Sequence, residues 1–214
     1  MRFILIPVKD LTSAKQRLSP VMTQLERTRL AHAMLEHTFR VVSEVRTKCH
    51  FAVVTSYSAA IELAEQYAFT VIPETVQVSE SVSVDYGSRE LEARGATAVL
   101  RLPIDLPLVR PEDIDEIWGF DQGEGSLVIV PSRDGTGTNA ILRRPPTLFP
   151  SHFGPGSLAK HLEEAELIGA QVTISTNVRL GLDIDEPDDL RELMTREDDS
   201  TIRDLLVAMN IMQR

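Results

Sequence analysis

The chain has 214 residues, of which 43% are hydrophobic and 25% charged, and its formal net charge is -10. This length and composition suit one soluble globular domain over residues 1–214, with a core of its own. The acidic balance argues against nucleic acid or an anionic membrane as the main partner, while a local cluster of Lys and Arg still suits a small anionic substrate. The single cysteine, Cys49, rules out a disulfide framework and leaves a structural zinc site short of ligands. The apolar run at residues 1–7 is too short for a signal peptide or a membrane span, so a cytoplasmic location is the expectation.

Residues 3–8 form a compact apolar run that predicts a first buried strand. The loop after it, residues 9–20, sets Lys9, Lys15 and Arg17 against one acid, Asp10. Thr23 and Glu26 have capping-box spacing and open a helix to about residue 45, with Leu30, Met34, Leu35 and Phe39 on one apolar face. A strand at 51–55, a helix at 58–67, a strand at 70–73 and a helix at 83–94 follow, the last stopped by Gly95. The apolar stretch 99–105 then reads as a central parallel strand, buried on both faces and ending in the carboxylate of Asp105. Pro111-Glu112-Asp113 starts a helix with proline at its first position and acids in its first turn.

Residues 126–130 predict another strand, and the glycine-rich 135–139 a loop that leads into a strand at 140–142. That strand should be antiparallel, because no helix separates it from the one before. A helix at 158–168, a short strand at 172–174, a helix opening at Pro187 and an amphipathic tail at 200–212 complete the chain. Ile202, Leu205, Leu206 and Met209 give that tail a face that seals the core or, alternatively, pairs with a second copy as a homodimer. Strands alternating with helices imply an α/β fold: a mostly parallel, Rossmann-like sheet with one antiparallel strand and helices on both faces.

Gly135-Thr136-Gly137-Thr138-Asn139-Ala140 formally fits a dinucleotide fingerprint, but Pro145 and Pro146 follow and no helix opens at the glycines. A Walker A sequence is absent, so the chain is not a P-loop enzyme. What remains is a loop whose N–H groups and hydroxyls could cradle an oxyanion, or else a plain hairpin turn. Residues 154–157 precede a helix and offer either an anion site or an ordinary cap. Asp183-x-Asp185 fails as a calcium loop, since Asp188 stands where a glycine is needed and Met194 where a glutamate is needed. It either returns carboxylates to the strand ends beside Asp105 or caps the helix at Pro187. Asp105, beyond the end of a sheet strand, is a hard-metal ligand or a turn-forming acid. The loop bearing Lys9, Lys15 and Arg17 leaves the same sheet edge. Cations facing metal-binding acids suit a triphosphate bound between them. No Ser-His-Asp set has persuasive spacing, and Cys49 reads as core.

Taken in order, these residues resemble a family. Ile6-Pro7-Val8-Lys9, Ala14-Lys15-Gln16-Arg17-Leu18-Ser19-Pro20, Glu26-Arg27 and Ala33-Met34-Leu35 carry the first part of the match. Asp105-Leu106-Pro107-Leu108, Gly135-Thr136-Gly137-Thr138, Phe153-Gly154-Pro155-x-Ser157 and Asp183-Ile184-Asp185-x-Pro187-x-Asp189-Leu190 continue it. The set is similar to the 2-phospho-L-lactate guanylyltransferase family, including its bacterial phosphoenolpyruvate guanylyltransferase branch. The resemblance implies a nucleotidyltransferase fold related to the molybdopterin and sugar-phosphate nucleotidyltransferases. It implies transfer of GMP from GTP to a phosphorylated three-carbon acid, with release of pyrophosphate, early in coenzyme F-420 biosynthesis. It further implies that Asp105, Asp183 and Asp185 hold Mg2+, as two ions, and that Thr138, Gly154 and Ser157 bind the phospho-acid. Lys9, Lys15 and Arg17 would face the GTP phosphates and, with Asp105, carry catalysis.

One stretch departs from the family pattern. Where many members carry a Leu-Asn pair opening a helix, this chain has Ser79-Glu80-Ser81-Val82-Ser83-Val84-Asp85-Tyr86-Gly87-Ser88. That region is expected near the nucleotide, and it bears on both the base and the acceptor pocket. The acceptors in play are phosphoenolpyruvate, 2-phospho-L-lactate and 3-phosphoglycerate. The competing readings are a sugar-phosphate or molybdopterin nucleotidyltransferase, whose G-x-G-T-R opening this chain lacks, and a non-catalytic nucleotide-binding protein.

Overall fold

A computed structural model of the chain describes residues 1–197 and 200–211. Strand β1 (Arg2–Pro7) alternates: Phe3 and Leu5 face one helical layer, and Ile4 and Ile6 face the other. A strand apolar on both faces belongs in the middle of a sheet. Parallel β2 (His50–Thr55) and β4 (Ala98–Arg101) flank it, and parallel β3 (Thr70–Pro73) lies outside β2. Beyond β4 come β6 (Thr138–Arg144), β5 (Ser126–Pro131) and β7 (Gln171–Ile174). The order among the described residues is β3-β2-β1-β4-β6-β5-β7. As expected from the missing crossover helix, β6 runs antiparallel to both of its neighbours.

Helices α1 (Gln24–Ser43), α2 (Ser58–Gln66) and α4 (Pro111–Gly119) cover the face of Ile4 and Ile6. The other face carries α3 (Glu80–Ala93) and α5 (Ser157–Leu167). At Gly87, α3 comes close to β1; a Cβ there would lie 2.9 Å from Leu5 Cδ2. The Thr23–Glu26 capping box opens α1 as its spacing predicts. Helices α6 (Pro187–Thr195) and α7 (Thr201–Ala208) form a separate apolar cluster with Leu30 and Met34 of α1. The tail therefore docks on the chain's own core through Ile202 and Leu206, while the end of the predicted tail, Met212, lies outside the described residues.

Of the boundaries that differ from expectation, three have a clear local reason. Strand β4 ends at Arg101 rather than Asp105. Leu102 N–H still donates to Leu5 O at 3.1 Å, but Pro103 has no N–H and the chain leaves the ladder. Helix α3 starts at Glu80 rather than residue 83, because Ser79 Oγ caps it by accepting from Val82 N–H. Thr138 and Asn139 belong to β6 rather than to the glycine loop. The strand order reverses between β1 and β4, so the loops leaving their C-terminal ends border the crevice where open α/β sheets bind ligands.

Candidate active site

Asp105 and the Asp183–Asp185 pair meet at that crevice. Ile184 N–H donates to Asp105 O at 3.0 Å, which ties the two distant segments together through the backbone. Leu182 and Ile184 enter the apolar cluster of α1, α6 and α7, and the alternating Asp183 and Asp185 stay half-buried. Asp185 is not the helix cap. Glu186 takes that position, and Asp189 Oδ2 accepts from the N–H groups of Asp185 and Glu186 at 3.0 and 2.8 Å.

Lys15 sits between the acids. Its backbone is left-handed (φ 55, ψ 45), uncommon for a residue with a side chain, and it opens a 3-10 turn at Gln16–Leu18 anchored by buried Leu18. Lys15 Nζ lies 2.9 Å from Asp105 Oδ2 and 2.9 Å from Asp185 Oδ1. Arg17 is mostly exposed, with Nη1 3.6 Å from Glu186 Oε1 and 3.9 Å from Asp185 Oδ2. Lys9 is exposed at the start of the same loop.

The electrostatics follow from this packing. Burial pulls the Lys15 ammonium toward losing its proton, but Asp105 and Asp185 outweigh it and hold the proton on. Burial pushes Asp105 up, and Lys15, with help from Arg101, brings it below the usual carboxylate range. Asp183 is pushed up to about 6 by burial and by the charges of Asp105 and Asp185, and Asn139 Nδ2, donating at 3.2 Å, and a backbone N–H only partly ease it. The cluster thus holds more negative charge than one ammonium relieves.

Among the described residues, no group of three or more His, Cys, Asp or Glu side chains is already assembled around a metal position. The donor set nevertheless fits a hard divalent cation: it is all carboxylate oxygen, it is short of positive charge, and an ammonium already bridges two of its members.

The residues expected on the acceptor side also come together. Gly156, with φ 69, is the N-cap of α5, and Ser157 is its first, buried residue. Leu158 N–H donates to Thr136 O at 3.1 Å, so the start of α5 is tied to the turn before Thr138. His161 is fully buried, and burial first, then the charges of Arg143 and His152, lower its pKa to about 3. Its Nε2 accepts from His152 N–H at 2.9 Å, which leaves the proton on Nδ1 to donate to Thr138 Oγ1 at 3.0 Å. Thr138 therefore keeps its own hydroxyl hydrogen for another acceptor. Gly154 is exposed with φ 110, a conformation that favours glycine.

The 135–139 loop is not an oxyanion cradle. The N–H groups of Gly135, Thr136 and Gly137 go to Ser132 O, Asp134 Oδ1 and Ser132 Oγ at 2.9, 3.0 and 2.7 Å. It is the hairpin turn between β5 and β6, and these donors are consumed within the turn by the Ser132 carbonyl and the Ser132 and Asp134 side chains. Sequence reasoning named Asn139 within the glycine motif and Glu80 within the departing 79–88 stretch, but gave neither a role, and it missed His161 and Arg101. Of those two, Arg101 carried a signal, a charge inside an apolar strand.

Comparison with known proteins gives the family and the fold. The family model described as "Guanylyl transferase CofC like" matches residues 1–213. The phosphoenolpyruvate guanylyltransferase of Rubrobacter xylanophilus is 34% identical over 194 residues, covering 89% of this chain and 92% of that one. The protein of the same name from Conexibacter woesei is 32% identical over 192 residues, covering 89% and 86%. Among solved structures, a protein described as a nucleotide-diphospho-sugar transferase of Desulfovibrio desulfuricans superposes with a TM-score of 0.78 at 17% identity, covering 99% of this chain and 97% of that one. A cytidylyltransferase from Leptospira borgpetersenii superposes with a TM-score of 0.60 at 14% identity, covering 99% and 94%. At those identities the two structures establish a shared nucleotidyltransferase fold, and the family model, which spans nearly the whole chain, establishes more: this chain belongs to the guanylyl transferase CofC-like family.

Proposed function

We propose that the chain, acting as one catalytic domain over residues 1–214, transfers GMP from GTP to a phosphorylated three-carbon acid, with phosphoenolpyruvate as the first choice of acceptor, in coenzyme F-420 biosynthesis. The observation that carries this reading is the convergence of Asp105, Asp183 and Asp185 around Lys15 at the crevice between β1 and β4. The names of the relatives, at up to 34% identity, support the base and the acceptor.

Asp105, Asp183 and Asp185 would hold two Mg2+ ions, which would neutralise triphosphate charge and polarise the reacting phosphorus. Lys15 would exchange its carboxylate contacts for a phosphate oxygen of GTP, with Arg17 and Lys9 adding positive charge from the rim. The hydroxyl hydrogen of Thr138, the backbone at Gly154 and the α5 start at Ser157 would hold the phospho-acid. An acceptor phosphate oxygen attacks the α-phosphorus of GTP. A new P–O–P link forms, and the bond between the α-phosphorus and its bridging oxygen breaks, that oxygen leaving with the electron pair on pyrophosphate. The attacking oxygen is already ionised at neutral pH, so no general base is needed, and neutral His161 is not asked to act as one. The residues' task is to hold two anions in line.

The test is a substrate panel. With Mg2+ present, GTP, ATP, CTP and UTP are each offered with phosphoenolpyruvate, 2-phospho-L-lactate and 3-phosphoglycerate, and pyrophosphate is measured. The expected result is release with GTP and phosphoenolpyruvate well above every other nucleotide. Equal release with ATP or CTP overturns the choice of base, and no release with any of the three acids overturns the reaction.

A further inference from the structure

Arg101 is a charged side chain at the end of the central strand β4 and is only 5% exposed. A buried ion pair is a poor device for stability, since an apolar pair of similar size does as well or better. Its surroundings point to recognition. Nη1 donates to Asn139 O at 2.8 Å and more weakly to Thr138 O at 3.4 Å. The guanidinium lies over the Phe153 ring, Cζ 4.2 Å from its centroid. Nη2 holds the carboxylate of Glu80, and Nε is buried with no hydrogen-bond partner among the described residues. The group thus sits between β6 at Thr138 and the segment leading to Gly154 and Ser157.

Arg143, also buried, offers a contrast. Its Nη donors reach Phe149 O and Ser88 Oγ, and its guanidinium pairs with Asp85. Arg143 is spent on architecture; Arg101 has a donor to spare. Its ion-pair partner Glu80 comes from the stretch that departs from the family pattern, and Ser81 of that stretch accepts from Phe153 N–H at 2.8 Å. Glu80 is on the first turn of α3 with a third of its side chain exposed, so it can turn away without unpacking the core.

Resting on the reaction proposed above, we propose that Arg101 is a specificity-determining residue that binds the carboxylate of the phospho-acid, and that Glu80 holds its place until the acceptor arrives. The attacking phosphate has to lie toward Asp105 and the GTP phosphates. The opposite end of a three-carbon phospho-acid is its carboxylate, and a carboxylate is what Arg101 already binds. Charge-assisted pairs of this kind in a closed site account for roughly 10- to 100-fold in affinity.

The experiment compares phosphoenolpyruvate with vinyl phosphate, which lacks only the carboxylate, in the pyrophosphate assay for wild type, Arg101→Gln and Glu80→Gln. The expected result is that wild type prefers phosphoenolpyruvate by roughly 100-fold in kcat/KM. Arg101→Gln should lose about tenfold or more of that preference through the acceptor KM, with the KM for GTP unchanged, and Glu80→Gln should lower the acceptor KM. A purely structural role would lower both acceptors equally, and that outcome, an unaltered preference in Arg101→Gln, or no preference in wild type overturns the inference. Calorimetric titration of phosphoenolpyruvate into wild type and Arg101→Gln reads the same contact without turnover. Weaker binding by the variant supports it even if the GTP reaction fails, and equal binding or none overturns it.

Discussion

Lys15 shows how one side chain can stand in for a missing charge. Its left-handed backbone delivers the ammonium to Asp105 and Asp185, and it is the cation that makes three neighbouring carboxylates tolerable in one half-buried cluster. Replacing it with methionine should therefore cost on the order of 2 kcal/mol in urea unfolding with chelator present, a figure reduced for the partial exposure of Asp185. Added Mg2+ should raise the stability of Lys15→Met more than that of wild type, where the ion has to displace an ammonium first; equal responses would contradict this picture. The acids were legible in the sequence because Asp105 stands beyond an apolar run and Asp183-x-Asp185 fits no calcium loop. That Lys15 shares the acids' sheet edge was legible too; that it bridges two of them was not, because nothing in the sequence announces its left-handed turn. Arg101 was passed over within its apolar run, although a charge in a central strand is a signal in its own right.

At the scale of elements, the site is held by ties between neighbours more than by any one segment. The bond from His161 to Thr138 joins α5 to β6, and the imidazole is buried in its neutral form, its pKa lowered to about 3 from an ordinary 6.5. Because the folded value is the lower one, the folded state binds fewer protons than the unfolded chain. The stability this arrangement contributes is fully present above about pH 6.5 and is lost as the pH falls toward 3. Between pH 7 and pH 4.5, wild type should lose about 2 to 3 kcal/mol more than His161→Gln in urea unfolding. Parallel losses in the two proteins would show that the imidazole is not buried neutral. Element types and order were readable from periodicity, capping and glycine stops, and the antiparallel β6 from the absence of a crossover helix. The misplaced edges trace to Pro103, Ser79 and Thr138, where one residue's backbone chemistry decides the boundary. The glycine loop misled because glycine and threonine serve a hairpin as readily as an anion cradle.

Over the whole molecule, topology is what turns separated motifs into a site. Residues 15, 105 and 185 are far apart in the chain, and they meet because the strand order reverses between β1 and β4. The net charge of -10 offers an anion such as GTP no general attraction, so under the proposed reaction recognition would come from local cations and a divalent ion. The most direct measurement is pyrophosphate release from GTP and phosphoenolpyruvate by wild type and Asp105→Asn, each with Mg2+ and with chelator, alongside thermal unfolding of both. The account predicts Mg2+-dependent release by wild type and a fall of roughly 10^3-fold or more in a variant that still unfolds cooperatively. Release that survives chelation, or near-normal turnover by Asp105→Asn, would contradict it.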